Sequence, residues 1–343
     1  ISLVCNAAVG ATGGARPVSR TVIELPRIDA RRIRITLESE ESAYLDPVFE
    51  DVEVTEDVPY RTTTNPAGQP VTLTVDIYQP AGDTAARRPA LVWLPGGWFD
   101  TPDPDVAPAY AEAFARRGYV VAVMDYRQRP ALNCCPSGDA PGLTAAFLDA
   151  HQDAVAGVTW LRDHAADYRI DTRAIAAAGS EAGGATALHL ADLPGQMGVT
   201  GVPAVAAAVG IGGVDLGRHD AGEVPTLALN ATANMPAPQF LAHWACEHSR
   251  RVGVVCETVG YDGVFGDVAS QRPRDATRRS SRFLVDAVLA PLGLAAPTGD
   301  SFTPVSSPAA PTPAPAAPTA ATTTTTAQAQ GTLPQTGASA TEG

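Results

Sequence analysis

A run of small residues in the middle of the chain surrounds two side chains that could do chemistry. Residues 178–184 read Ala-Gly-Ser-Glu-Ala-Gly-Gly. Small residues two positions before and two positions after a central residue are typical of a sharp strand-to-helix turn that exposes a nucleophile, because larger side chains would collide there. The pattern is centred on Glu181. Centring it on Ser180 is sterically possible, but it breaks the register of the paired glycines at positions 183 and 184.

A nucleophile at either position would need partners. A seryl hydroxyl is inert at neutral pH without an adjacent base, and the base needs an orienting carboxylate. A glutamate nucleophile would form an ester whose hydrolysis requires the same partners. Without them, Glu181 is expected to be a partly buried carboxylate stabilised by the positive end of a helix dipole.

Six histidines are available as bases or metal ligands: His151, His164, His189, His219, His243 and His248. His219 lies in a predicted loop and is the one that could swing into a pocket. His243 and His248 are five residues apart and do not share a helix face, which argues against a metal pair. The others are expected to be packed or solvated, and we expect neither a metal nor a cofactor.

The elements that must position these residues alternate between strand-like and helix-like runs. Short buried runs that alternate with helices predict a mostly parallel sheet covered on both faces, in one domain over residues 57–295. Residues 18–56 contain an alternating run and predict a β-rich N-terminal extension. The strands are expected at residues 71–78, 90–94, 119–124, 174–179, 204–211, 226–230 and 252–259, and the helices at residues 104–117, 142–165, 181–190, 236–250 and 275–289.

Several segments, in order along the chain, resemble an α/β-hydrolase of the carboxylesterase or acetyl esterase type. Residues 74–82, 88–99 and 117–127 resemble its first half, and residues 151–162 and 170–184 resemble the helix, strand and nucleophile turn of its second half. The resemblance implies an α/β-hydrolase fold. It also implies an oxyanion loop, the loop that binds developing negative charge through backbone N–H groups, at Gly96, Gly97, Trp98 and Ala182.

The same resemblance implies that the catalytic triad is degenerate. Glu181 stands where the family has the nucleophilic serine, Asn234 replaces the acid, and Phe265 or Gly266 takes the place of the base. Trp98 adds an indole where a small residue usually leaves room for an acyl group. The sequence therefore favours a pseudo-esterase with a binding or structural role. The alternative is an exported carboxylesterase or lipase-like serine hydrolase with a relocated catalytic group, such as Ser180.

The charge of the chain restricts its partners. It has 24 basic and 37 acidic residues, a formal net charge of −13, and all its basic residues are arginines. Such a chain is not expected to bind nucleic acid or an anionic membrane surface through phosphate neutralisation. Abundant Ala, Gly, Pro and Arg without lysine indicate a GC-rich Gram-positive bacterium, an actinobacterium.

Both ends of the chain predict export. Residues 1–17 resemble the end of a secretory signal, and residues 296–332 form a Pro- and Thr-rich stretch typical of an extended stalk. The next residues, Leu333, Pro334, Gln335, Thr336 and Gly337, resemble the LPxTG sorting signal that sortase cleaves and joins to peptidoglycan. Residues 333–343 would be a truncated form of that signal. We therefore expect an extracellular, cell-wall-anchored protein whose partner is peptidoglycan, with no membrane span in this sequence.

Five cysteines fit an exported protein. Cys5 lies in the signal-like segment, which leaves Cys134, Cys135, Cys246 and Cys256, and four cysteines allow three pairings. A bridge between Cys246 and Cys256 is the simplest. The vicinal pair Cys134 and Cys135 lacks the two-residue spacer that zinc ligation favours.

Overall fold

A computed structural model describes residues 44–102, 105–129, 140–191, 205–213, 220–232, 239–262 and 268–294. All of these belong to one compact unit, Ile1–Thr303, and the second unit, Pro304–Gly343, contains none of them. The expected signal-like segment, stalk and sorting signal, as well as Cys134, Cys135, Asn234, Phe265 and Gly266, lie outside the described residues.

Eight strands form one sheet within the described ranges. They are β1 (Val52–Thr64), β2 (Pro70–Pro80), β3 (Arg88–Leu94), β4 (Val120–Met124), β5 (Ile170–Ser180), β6 (Ala208–Ile211), β7 (Thr226–Ala231) and β8 (Cys256–Tyr261). Their order is β1-β2-β4-β3-β5-β6-β7-β8. β2 is antiparallel to both of its neighbours, and every pairing from β4 to β8 is parallel. The expected mostly parallel sheet is thus confirmed.

Helices cover both faces of this sheet. They are α1 (Val106–Ala115), α2 (Ala140–Asp163), α3 (Glu181–His189), α4 (Gln239–Arg251), α5 (Val268–Gln271) and α6 (Pro273–Leu284), and α6 continues into a π-helical turn at Val285–Leu289. α1 and α6 bury their apolar sides against one face, and α2 and α3 pack on the other. None of these helices, including the 24-residue α2, meets the length and hydropathy of a bilayer-spanning segment.

The N-terminal boundary differs from the sequence-based expectation. β1 runs through residues 56 and 57, where the extension was expected to end and the main domain to begin, and it pairs with β2 along its length. Residues 52–56 are therefore part of the sheet. Side chains of β1 are mostly exposed or half-exposed, so the strand lacks the buried apolar run by which the other strands were recognised.

A disulfide joins Cys246 on α4 to Cys256 at the start of β8, with 5.0 Å between the two Cα atoms. This is the pairing that the sequence made the simplest. It links the helix to the strand that follows it.

Candidate active site

The turn between β5 and α3 is centred on Glu181. Glu181 directly follows the last strand residue, begins α3, and has a φ of 48°, in the left-handed region that non-glycine residues rarely adopt. A Cβ on Gly179 would come within 2.5 Å of the Gly183 carbonyl carbon, and a Cβ on Gly183 would collide with the Leu94 carbonyl oxygen. The turn therefore needs small residues on both sides of Glu181, which is the geometry of a nucleophile elbow.

Ser180 lies one residue before the apex of this turn. It has an extended backbone, with φ −113° and ψ 146°, and only 1% of its surface is exposed. Its Oγ lies 3.0 Å from the position that a Cβ on Gly96 would occupy. The hydroxyl thus packs against the loop after β3, whereas the apex of the turn carries Glu181.

The loop after β3 bends sharply over the elbow. Gly97, Trp98 and Phe99 follow one another with φ values of 106°, 59° and 63°. Left-handed backbone at two consecutive non-glycine residues is costly, and such strain is concentrated at functional sites. The N–H of Gly97 donates a hydrogen bond to Oε2 of Glu181, over a distance of 3.2 Å.

This hydrogen bond defines the chemistry of the site. In an elbow of this kind, one N–H from the loop after β3 and the N–H of the residue after the nucleophile, here Ala182, form the oxyanion hole. Such donors act on the negative charge that develops in a transition state. In this chain, the loop donor is already occupied by a carboxylate of the protein itself.

Glu181 lies close to a helix N-terminus and to a buried tyrosine. As the first residue of α3, it lies at the positive end of the helix dipole. The Tyr126 hydroxyl donates a 2.7 Å hydrogen bond to the carbonyl of Pro95, at the start of the same loop. Burial first, and the negative charge of Glu181 second, raise the pKa of Tyr126, so this phenol stays protonated.

Aromatic rings fill the space beneath the loop. Phe99 is buried and lies 6.2 Å from the ring of Tyr126 and 6.1 Å from that of Phe147, both measured between centroids. Trp98 is instead 40% exposed. The loop is therefore anchored by Phe99 and presents the Trp98 indole towards solvent.

The histidines considered as bases are packed in several places. The Phe147 ring contacts buried His151 and His189, at centroid distances of 6.2 and 5.0 Å. His164 stacks on Trp160, and His243 is exposed on α4. His219, like the acid and base positions Asn234, Phe265 and Gly266, lies outside the described residues. Among the residues that the structure describes, no group of His, Cys, Asp or Glu could hold a metal ion.

A groove of about 970 Å³ lies beside the oxyanion loop, between the β1–β2 turn and the segment after β4. Two of its lining residues, Arg127 and Arg129, belong to a network of ion pairs that the sequence did not predict. Fully buried Asp153 on α2 binds Arg61 on β1 and Arg127 after β4, with shortest distances of 2.5 and 2.8 Å. Asp149 binds Arg127 and Arg129 at 2.9 and 2.6 Å. Arg61 is far from its partners in sequence, so no local pattern indicates this network.

Comparisons with known proteins agree with this fold. The BD-FAE family model matches residues 75–201. The structure of esterase 2 from Thermogutta terrifontis phosphoramylated by tabun has a TM-score of 0.56 and 25% sequence identity, and the match covers 74% of this chain and 98% of that one. The propionate-bound form of that esterase gives a TM-score of 0.55 at 24% identity, covering 72% and 97%.

The chain has an esterase-type α/β-hydrolase fold. The form of the same Thermogutta esterase phosphorylated by paraoxon matches at a TM-score of 0.55 and 25% identity, covering 73% of this chain and 97% of that one. No curated protein sequence matches this chain. The α/β-hydrolase fold expected from the sequence is therefore confirmed.

Proposed function

We propose that this chain is a non-catalytic, esterase-like surface protein with a binding or structural role. The observation that carries the proposal is the hydrogen bond from the Gly97 N–H to the Glu181 carboxylate. In this contact, the side chain that replaces the serine nucleophile also occupies a donor of the oxyanion hole, so both the nucleophile and a free oxyanion donor are lost.

Ester hydrolysis would be disfavoured for an electrostatic reason. The attacked carbonyl oxygen gains negative charge in the transition state and needs preorganised donors at that position. A carboxylate already bound there would repel the developing charge and compete for the N–H. The sequence carries Asn234, Phe265 and Gly266 where the resemblance expects the acid and the base, so these positions supply no imidazole to activate a hydroxyl.

We further propose that the protein is anchored to the cell wall through the Leu333–Gly337 signal. Sortases that build pili join a cleaved threonine to a lysine side chain, and this chain has no lysine. It could donate the Thr336 carbonyl but could not accept another subunit. Single attachment to peptidoglycan is the arrangement that fits.

Turnover of short-chain aryl esters by the purified chain tests the central proposal. We expect no turnover above the uncatalysed rate, and Glu181→Ser alone should not restore it because base and acid are still missing. Turnover by the wild-type chain that is abolished by Glu181→Ala or Ser180→Ala would overturn the proposal, since it would locate a working nucleophile.

The second candidate is an exported carboxylesterase or lipase-like hydrolase with a relocated catalytic group. The likeness to an esterase over most of both chains favours it. In this second candidate, Ser180, the residue before Glu181, would be the nucleophile. That serine, however, is buried against the loop at Gly96. The same assay separates the candidates, because this one requires turnover that is lost in Ser180→Ala.

A further inference from the structure

The outer face of α6 is built from charged residues. Its exposed and half-exposed positions after Pro273 are Arg274, Asp275, Arg278, Arg279 and Arg282, and its other positions are buried. Four of these five residues are arginines, in a chain whose net charge is −13. The helix therefore carries a local excess of positive charge that the whole-chain charge conceals.

Three of these arginines form a stripe along the helix. Arg274, Arg278 and Arg282 are spaced four residues apart, so they share one face over about 12 Å of helix axis. Like charges at this spacing destabilise a helix. The stripe is thus not explained by the stability of α6 itself.

Acidic neighbours neutralise only part of this charge. Asp275 accepts hydrogen bonds from Arg278 at 2.6 Å, Arg279 at 2.7 Å and the Tyr261 hydroxyl at 2.9 Å, so a single carboxylate serves two arginines. The Arg278 side chain is still 70% exposed. Arg274 forms no ion pair with any residue of the described ranges.

Two hollows flank the stripe, and they differ in charge. The hollow between α1 and α6 has a volume of about 420 Å³ and sets three arginines, Arg117, Arg274 and Arg278, against one carboxylate, Asp46. The hollow between α6 and β8 has about 440 Å³ and sets Arg278, Arg279 and Arg282 against Asp46, Glu257 and Asp286. The positive excess therefore lies on the α1 side.

We propose that the Arg274–Arg278–Arg282 stripe is a docking surface for a linear polyol-phosphate polymer, with one phosphate seated in the α1–α6 hollow. The guanidinium group binds phosphate oxygens with its planar fork of donors. A row of three cations at four-residue spacing suits a repeating ligand better than a small one. The source of the polymer, the anionic part of a Gram-positive wall, rests on the proposed wall attachment.

The negative charge of the whole chain leads to two specific expectations about where and how strongly a polyanion binds. A polyanion is repelled by the acidic remainder of the surface, so binding should be confined to α6 and should weaken steeply with salt. The appropriate probe is purified, fluorescently labelled poly(glycerol phosphate), titrated with the full chain at several salt concentrations.

The test compares two double variants with equal charge changes. Arg274→Gln with Arg278→Gln removes the hollow's two exposed arginines, and Arg87→Gln with Arg251→Gln removes two exposed arginines elsewhere. We expect the first variant to lose affinity about tenfold or more at low salt. In a plot of the logarithm of its binding constant against the logarithm of the salt concentration, the slope should become shallower by about 0.7 for each phosphate contact that is lost. The control should stay within about twofold of wild type.

Three results would overturn the proposal: no binding by the wild-type chain at low salt, an equal loss in the control variant, or tighter binding of single-stranded DNA with the same number of phosphates. The last would assign the stripe to nucleic acid. All of these variants retain Glu181, and ester turnover is measured separately, so a failure here is distinguishable from a failure of the proposed pseudo-esterase function.

Discussion

At the scale of single residues, the chemistry of the site depends on where one carboxylate lies. The sequence located Glu181 at the centre of the elbow, because the spacing of small residues around it is local. It did not predict that the carboxylate binds the N–H of Gly97, a residue 84 positions away. Nor did it predict the left-handed backbone of Trp98 and Phe99, which the packing of Phe99 maintains.

Removing the Glu181 carboxylate should open the oxyanion loop to an external one. We expect Glu181→Ala to bind butyrate in the millimolar range, because the Gly97 N–H and the N-terminus of α3 then lack their internal anion. The wild-type chain should not bind it. Line broadening of labelled butyrate in an NMR titration measures both.

The matched control is Glu181→Gln, whose amide oxygen can still accept the Gly97 hydrogen bond. It should remain closed to butyrate. Equal butyrate binding by the wild type and by Glu181→Ala would show that the carboxylate does not occupy the loop donor.

At the scale of elements, local patterns predicted the central strands well. Apolar runs at residues 90–94 and 119–124 became β3 and β4 with similar bounds, because buried parallel strands are continuously apolar. β1 extended into the expected extension because its role is set by pairing with β2 and not by burial. The π-helical turn after α6 was read as a continuous helix, since its apolar periodicity is almost the same.

The buried ion-pair network should be essential for stability. Asp153 has no exposed side-chain surface and binds both Arg61 and Arg127. Asp153→Asn leaves these two half-buried guanidinium groups without the buried charge that they share, so we expect a loss of about 3 kcal/mol in the free energy of unfolding. Urea denaturation measures it.

The comparison variant is Glu247→Gln, which breaks the exposed pair with Arg250 on α4. It should cost less than about 1 kcal/mol. A cost as small as this for Asp153→Asn would contradict the structural role assigned to the network.

The carboxylates between β8 and the π-helical turn should make stability depend on pH in an unusual direction. Glu257 is exposed on β8, but partial desolvation of its carboxyl group first, and the charge of Asp286 second, raise the pKa of Glu257 in the folded state. The folded protein then binds its proton more tightly than the unfolded chain, so ionising Glu257 at neutral pH costs stability. We expect Glu257→Gln to stabilise the protein at pH 7, with the gain vanishing below about pH 4, the ordinary range of a glutamate.

Removing the Asp275 carboxylate should change the free energy of unfolding in the opposite direction. Burial works against its ionisation, but hydrogen bonds from Arg279, Arg278 and Tyr261 lower the pKa of Asp275 to about 2. Its contribution is present above the ordinary aspartate pKa and is lost as the pH falls towards 2. Asp275→Asn should therefore destabilise at pH 7. Urea unfolding measures both variants at pH 7 and below pH 4. If Glu257→Gln and Asp275→Asn changed the free energy of unfolding at pH 7 in the same direction, the assigned pKa shifts would be refuted.

At the scale of the whole molecule, the alternation of strand-like and helix-like runs predicted the correct class of fold, but the net charge did not predict the local charge of the surface. The net charge of −13 predicts an acidic protein and does not indicate the arginines grouped on α6, whose shared face appears only when the helix is built. The proposed single attachment to the wall rests on a property of the entire sequence, the absence of lysine.

Muramidase digestion of intact cells tests this attachment. With a Thr336 carbonyl to donate and no lysine to accept, each chain should be released as one species near the monomer mass plus a wall fragment. A ladder of covalent multimers of this chain alone would contradict single anchoring, as would free secretion of chains that retain Gly337–Gly343.

The measurement that tests the central claim most directly is the intact mass of the purified chain after incubation with paraoxon. The related Thermogutta terrifontis esterase 2 is phosphorylated by this reagent and provides the positive control. The proposal that Glu181 stands at the nucleophile position and occupies the oxyanion donor predicts that the mass of this chain stays unchanged while that of the control increases by one phosphoryl adduct. A stoichiometric adduct on this chain, mapped to the peptide that contains Ser180 and absent in Ser180→Ala, would contradict the account.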